Sequence, residues 1–99
     1  MQDLNDMLYF AEVVDQGGFA AAGRSLGIPK SLLSRRVAEL EAQLGARLLQ
    51  RTTRRVALTD AGDAFYRHCA AMRESARAAQ DAVAALQVAP RGLVRVSCP

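Results

Sequence analysis

Lys30, Ser31, Ser34 and Arg35 stand one and three residues apart, which places them together near the start of a helix if one forms there. Their chemistry suits a polyanion that also carries readable edges. A serine hydroxyl binds a phosphate or a base edge, a guanidinium forks onto guanine, and an ammonium does either. Arg36 follows directly and belongs to the same candidate set. The stretch from Gly23 to Thr59 holds eight basic residues (Arg24, Lys30, Arg35, Arg36, Arg47, Arg51, Arg54, Arg55) against Glu39 and Glu41, a local charge of +6. The segment before it has no basic residue and four acidic ones, Asp3, Asp6, Glu12 and Asp15, so the overall charge of +3 hides a sorted distribution. Sorted positive charge is the footprint of a phosphate-bearing partner, because each neutralised phosphate releases condensed counterions. Charge alone describes a solvated face equally well. Its placement on elements decides between the two.

Other chemistries find no support. His68 has no Cys, Asp or Glu at ligand spacing, and Cys69 lies on an apolar stripe where a thiol behaves as a small hydrophobe. Cys98 is far from Cys69 and reads as a second plain thiol. No nucleophile-base pair and no phosphate-binding glycine loop occurs, so neither enzyme activity nor a metal or cofactor is expected. Ninety-nine residues with 51% hydrophobic content suffice for one small core. No apolar run is long enough for a bilayer and no signal peptide is visible, so a soluble, cytoplasmic chain is expected.

Hydrophobic spacing supplies the elements that position the polar cluster. Leu4, Met7, Phe10 and Val14 define a first amphipathic helix that Asp3 or Asn5 can cap and that Gly17-Gly18 ends. A short helix fits Phe19 to Leu26, and Gly27-Ile28-Pro29 breaks it. Leu33, Val37, Leu40 and Leu44 give the buried stripe of a third helix, leaving Lys30, Ser31, Ser34 and Arg35 on its other faces. This is a helix-turn-helix with polar and basic residues where a recognition helix reaches base edges. From Leu48 to Thr59 the chain favours strands and reads as a small hairpin turning near Thr52-Thr53. Its Arg51, Thr52, Thr53, Arg54 and Arg55 form a wing able to follow the DNA backbone or enter a minor groove.

Thr59 is a good N-cap, and only Gly62 interrupts the helical pattern from there to Gln87, which predicts one helix roughly 40 Å long. Phe65, Cys69, Met72, Ala76, Ala79, Val83 and Leu86 repeat along it at alternating spacings of four and three. Such a heptad seam needs a partner, and a second copy of the chain is the expected one. Ala89-Pro90-Arg91-Gly92 then reads as a hinge before a strand-like Leu93 to Ser97.

The succession Phe19-Ala20-Ala21-Ala22, Leu26-Gly27, Leu33-Ser34-Arg35-Arg36-Val37, Leu40-Glu41, Leu44-Gly45, Leu48-Leu49-Gln50-Arg51-Thr52 and Leu58-Thr59-Asp60-Ala61-Gly62 resembles the N-terminal domain of LysR-type transcriptional regulators. The resemblance runs through essentially the whole chain. It implies a mainly α fold: a winged helix-turn-helix over 1–58, with three helices and a small β-hairpin wing, then a dimerisation linker helix over 59–88. Residues 89–99 would be a hinge and the start of an effector domain that senses a small-molecule inducer and lies beyond this chain. It also implies a homodimer through antiparallel linker helices, bound to double-stranded DNA. Two-fold symmetry makes an inverted-repeat site the expectation. Departures occur at Lys30-Ser31, where many members have Gln-Pro, at Leu49, where phenylalanine is common, and at Gly18, where serine is frequent. The lysine shifts the expected preference from adenine toward guanine or phosphate. A reading of another class is a protein-interaction or assembly module whose basic face only solubilises it.

Overall fold

Asp3 caps the first helix: its Oδ1 accepts the Asn5 amide at 2.8 Å, satisfying one of the donors that every helix start leaves open. The computed structural model describes residues 3–51 and 56–88. In it α1 spans Leu4–Gln16, α2 Phe19–Leu26 and α3 Lys30–Leu44, followed by strands β1 (Leu49–Arg51) and β2 (Val56–Leu58) and by α4 (Asp60–Val88). The first three helices close on Gly17, Gly27 and Gly45, whose φ values of 81°, 72° and 71° lie in the left-handed region that glycine enters without steric cost.

α1 is the hub, touching α2, α3, α4 and β2. Phe10, Ala11 and Val13 from α1 meet Leu33, Val37 and Leu40 from α3, with Ala22, Leu48, Leu49 and Cys69 completing the core. Burying each large side chain contributes about 1.5–3 kcal/mol, which makes this cluster the main support of the fold. Leu49 is 1% exposed and fills a core position.

The strands pair antiparallel, Leu49 with Leu58 and Arg51 with Val56, so residues 52–55 connect them. The expected turn at Thr52-Thr53 lies outside the described residues, as do residues 89–99 with the expected hinge and strand. Glu41, buried on α3, accepts the Leu48 and Leu49 amides at 2.8 and 3.1 Å and so fixes where β1 begins. A buried carboxylate is tolerated when hydrogen bonds replace its lost water.

Thr59 ties the hairpin to α4. Its hydroxyl accepts the Gly62 amide at 2.9 Å as the expected N-cap and donates to the Arg47 carbonyl at 2.6 Å. Gly62 sits against the residue preceding β1 so closely that a Cβ there would lie 1.9 Å from the Leu48 carbonyl oxygen. Only a residue without a side chain fits. The 29 residues of α4 run about 43 Å and give the molecule extents of 57 × 25 × 20 Å. No described helix is long and apolar enough to cross a membrane.

Candidate nucleic-acid interface

The helix-turn-helix owes its tightness to Gly23. A Cβ on this α2 residue would stand 2.9 Å from the Ile28 carbonyl oxygen, so the turn through Gly27 and Pro29 passes closer than any other residue allows. The α2–α3 pair is further held against α1 by Ser25, whose hydroxyl donates to Glu12 at 2.6 Å. From that turn α3 starts at Lys30, with Pro29 at the N-cap and no side chain covering its first amides. Those amides are the positive end of the helix.

On α3 the buried residues Leu33, Val37 and Leu40 face the core, and Lys30, Ser31, Ser34 and Arg35 are exposed on the other side. None of these four has a side-chain hydrogen bond or ion pair with the described residues. They form a polar and cationic patch on one to two turns of helix, beside the open helix end. Arg24, in the last turn of α2, is exposed as well.

Arg36 differs from its neighbour. Its Nε donates to Asp6 and its Nη2 to Asp3, each at 2.8 Å, and the Asp6 side chain is only 5% exposed. The Asp6 hydrogen bond, more than any other contact, raises the Arg36 pKa further. This side chain, expected among the DNA contacts, is therefore committed to holding α3 against the start of α1. Arg51 ends β1 opposite Val56, while Thr52, Thr53, Arg54 and Arg55 lie outside the described residues.

The stripe expected to meet a second copy divides in two. Phe65 is half-buried with its ring 5.8 Å from that of Phe10, and Cys69 has no exposed surface at all. The assignment of Cys69 to an interface between copies is thus corrected: the heptad spacing is real, but α1 covers the first turns of α4 within one chain. Burial pushes the Cys69 thiol up to about 11, which keeps it a neutral core group. Met72 is half-buried, and Ala76, Ala79, Val83 and Leu86 are exposed, the last two at 55% and 81%. His68 is exposed, and among the described residues no three His, Cys, Asp or Glu side chains gather as metal ligands.

Sequence reasoning missed the partners of the acidic segment. Asp3 and Asp6 hold Arg36, Glu12 holds Ser25 and Gln16, and Asp15 holds Arg73 and accepts the Tyr66 hydroxyl. Periodicity could not reveal these pairs, although the segregation of four acids at the N-cap and along α1 was the available signal.

Residues 4–63 match the family described as "Bacterial regulatory helix-turn-helix protein, lysR family". An "HTH-type transcriptional regulator" of Xanthomonas campestris pv. campestris (strain 8004) is 53% identical over 97 residues, covering 98% of this chain and 28% of the relative. A "Probable HTH-type transcriptional regulator LtrA" of Klebsiella pneumoniae is 44% identical over 96 residues, covering 97% of this chain and 31% of the relative. The chain therefore spans less than a third of the length of either. Among solved structures, a BenM DBD/catB site 1 DNA complex superposes with a TM-score of 0.80 at 28% identity, over 90% of this chain and 99% of that one. Full-length CbnR complexed with its target DNA superposes at 0.73 with 33% identity, over 85% of this chain and 29% of that one.

Proposed function

Because the chain belongs to the lysR family of bacterial regulatory helix-turn-helix proteins, we propose that it binds duplex DNA in a sequence-specific manner as the DNA-binding part of a transcriptional regulator. The observation that carries this is the outer face of α3. Lys30, Ser31, Ser34 and Arg35 are exposed without side-chain partners among the described residues, beside an uncapped helix start, while the adjacent Arg36 is paired with Asp3 and Asp6. A major groove admits this helix end-on, with its amides toward phosphate and its side chains toward base edges. Arg35 is assigned to a guanine edge, Ser34 and Ser31 to phosphate or a base edge, and Lys30 to either. The wing residues Arg51, Thr52, Thr53, Arg54 and Arg55 are assigned to the flanking backbone or minor groove.

The dimer is part of the same proposal. Met72, Ala76, Ala79, Val83 and Leu86 form an apolar stripe on a helix that projects beyond its own domain, and a second α4 is the cover that suits it. A two-fold dimer reads an inverted repeat. Such a chain works in the cytoplasm, on DNA, and any small-molecule inducer would bind outside these 99 residues. No catalytic step is assigned to it, in keeping with relatives named as transcriptional regulators.

Selection of bound duplexes from a random library, followed by titration of the winner and a scrambled control at ~50 and ~200 mM salt, tests this. An inverted repeat bound far more tightly than the control is expected. Equal, salt-sensitive binding to both duplexes would remove sequence reading, and no binding at either salt would favour an assembly module. Arg35→Ala should cost about 1–3 kcal/mol on the selected site and relax preference at one base position. Equal losses on selected and scrambled DNA would assign Arg35 to phosphate.

A further inference from the structure

Beyond the first turns of α4, one polar cluster marks where the helix departs from its domain. Tyr66, Cys69 and Arg73 lie on a single face of α4, at spacings of three and four, and that face is turned to α1. Asp15, near the end of α1, accepts Arg73 Nη1 at 2.6 Å on one carboxylate oxygen and the Tyr66 hydroxyl on the other. Cys69, which lies between the two along the sequence, is buried. Arg73 is mostly covered, with its side chain 27% exposed and its Nε enclosed without a hydrogen-bond partner among the described residues. From Glu74 to Gln87 every side chain is exposed. Among the described residues the cluster is thus the last anchorage before the exposed part of the helix.

We propose that Asp15, Tyr66 and Arg73 are positioning residues that set the angle at which α4 leaves the winged domain, and thereby the separation of the two half-sites that a dimer reads. The inference rests on the dimeric DNA-binding reading above. Its physical content is leverage. From Arg73 to Val88 the helix extends about 22 Å, so a tilt of about 10° at the cluster moves the far end by about 4 Å. That is close to the rise of one base pair, about 3.4 Å. Since α4 joins the two domains through its projecting half, an angular change at the cluster becomes a change in half-site spacing. The apolar contacts at Phe65 and Cys69 hold α4 against α1, but they are non-directional. A two-pronged carboxylate contact fixes direction as well.

The test is duplex selection with a randomised gap between half-sites, run on the wild-type chain and on Asp15→Asn, Arg73→Met, Tyr66→Phe and Arg73→Lys, with molecular mass from light scattering measured alongside. The wild type should select one spacing. Asp15→Asn and Arg73→Met should remain dimers, keep the half-site sequence and spread over spacings at least one base pair to either side. Tyr66→Phe should broaden the distribution less, and Arg73→Lys should restore much of its sharpness. An unchanged single spacing in Arg73→Met and Asp15→Asn would overturn the inference. So would loss of half-site sequence together with spacing, which marks general unfolding. A wild-type chain that selects no paired half-sites would overturn the DNA-dimer reading beneath it, a failure visible before any variant is compared.

Discussion

The two halves of α4 have similar compositions and opposite surroundings. From Asp60 to Arg73 the helix is seated on α1 and the hairpin, with Gly62 against Leu48, Phe65 against Phe10 and Cys69 in the core. From Glu74 to Gln87 every residue is exposed and no described residue covers it, although the same apolar repeat continues through Ala76, Ala79, Val83 and Leu86. A repeat of threes and fours identifies a face that must be covered; it carries no information about which molecule covers it. Up to Cys69 the cover is the chain's own α1, and from the half-buried Met72 onward the proposed cover is another copy.

Substitutions can sharpen or break that contrast. Gly62→Ala should have the largest effect, since the new methyl group would overlap the Leu48 carbonyl. A loss of about 3 kcal/mol or more is expected, lowering the thermal midpoint by on the order of 15 °C. A midpoint within a few degrees of wild type would mean that the α4–hairpin junction is slack.

In the projecting half, Val83→Glu should act on assembly. A carboxylate on the stripe should weaken the dimer by about 2 kcal/mol or more and halve the mass by light scattering at micromolar concentration, with the helical signal of the winged domain preserved. An unaltered mass would show that the stripe's second half is not an interface.

Cys69→Ser places a hydroxyl in the core and should cost about 2 kcal/mol in denaturant titration. A loss under a few tenths would mean that Cys69 is wetter than its burial indicates. The pH dependence follows from the same seat. Burial holds the Cys69 pKa up at about 11 against 9.0, and the Asp15 hydrogen bond, followed by burial, raises that of Tyr66 above 10.0. Both groups stay neutral in the fold where the unfolded chain ionises. Their stability contribution is therefore complete below pH 9 and is lost as pH rises through the folded values. Cys69 alone should account for about 1 kcal/mol by pH 10. In Cys69→Ala that part of the slope should vanish, and a slope equal to wild type would assign it elsewhere. Ala84→Ser, on the exposed half, should change stability by less than about 0.5 kcal/mol.

Much of the architecture is legible from local chemistry. Gly17, Gly27 and Pro29 mark the helix ends, Thr59 marks the start of α4, and the stripe Leu33-Val37-Leu40 orients α3 so that Lys30, Ser31, Ser34 and Arg35 face outward. Each of these signals acts within a few residues. What escapes such reading joins distant positions: Arg36 with Asp3 and Asp6, Tyr66 and Arg73 with Asp15, and Gly62 with Leu48 across the hairpin. Arg36 and Arg35 are adjacent and chemically identical, yet only the packing of α3 on α1 tells an internal strut from an outward contact. Likewise Glu41 enters a charge count as an opponent of the basic face, whereas it anchors the Leu48 and Leu49 amides.

The acidic segment on α1 also constrains anyone who would re-engineer this domain. The simplest way to strengthen a binder of polyanions is to raise its net charge by converting acids to neutral amides. Here Asp3, Asp6, Glu12 and Asp15 each hold a residue of another helix or of their own. Erasing them would not simply add positive potential. It would free Arg36 and Arg73 and unfasten α3 and α4 from their common support, so gains in attraction would come with a loosened reading head. Supercharging has to be done by adding cations at exposed sites off the Ala76–Leu86 stripe, leaving the negative charges of Asp3 and α1 in place.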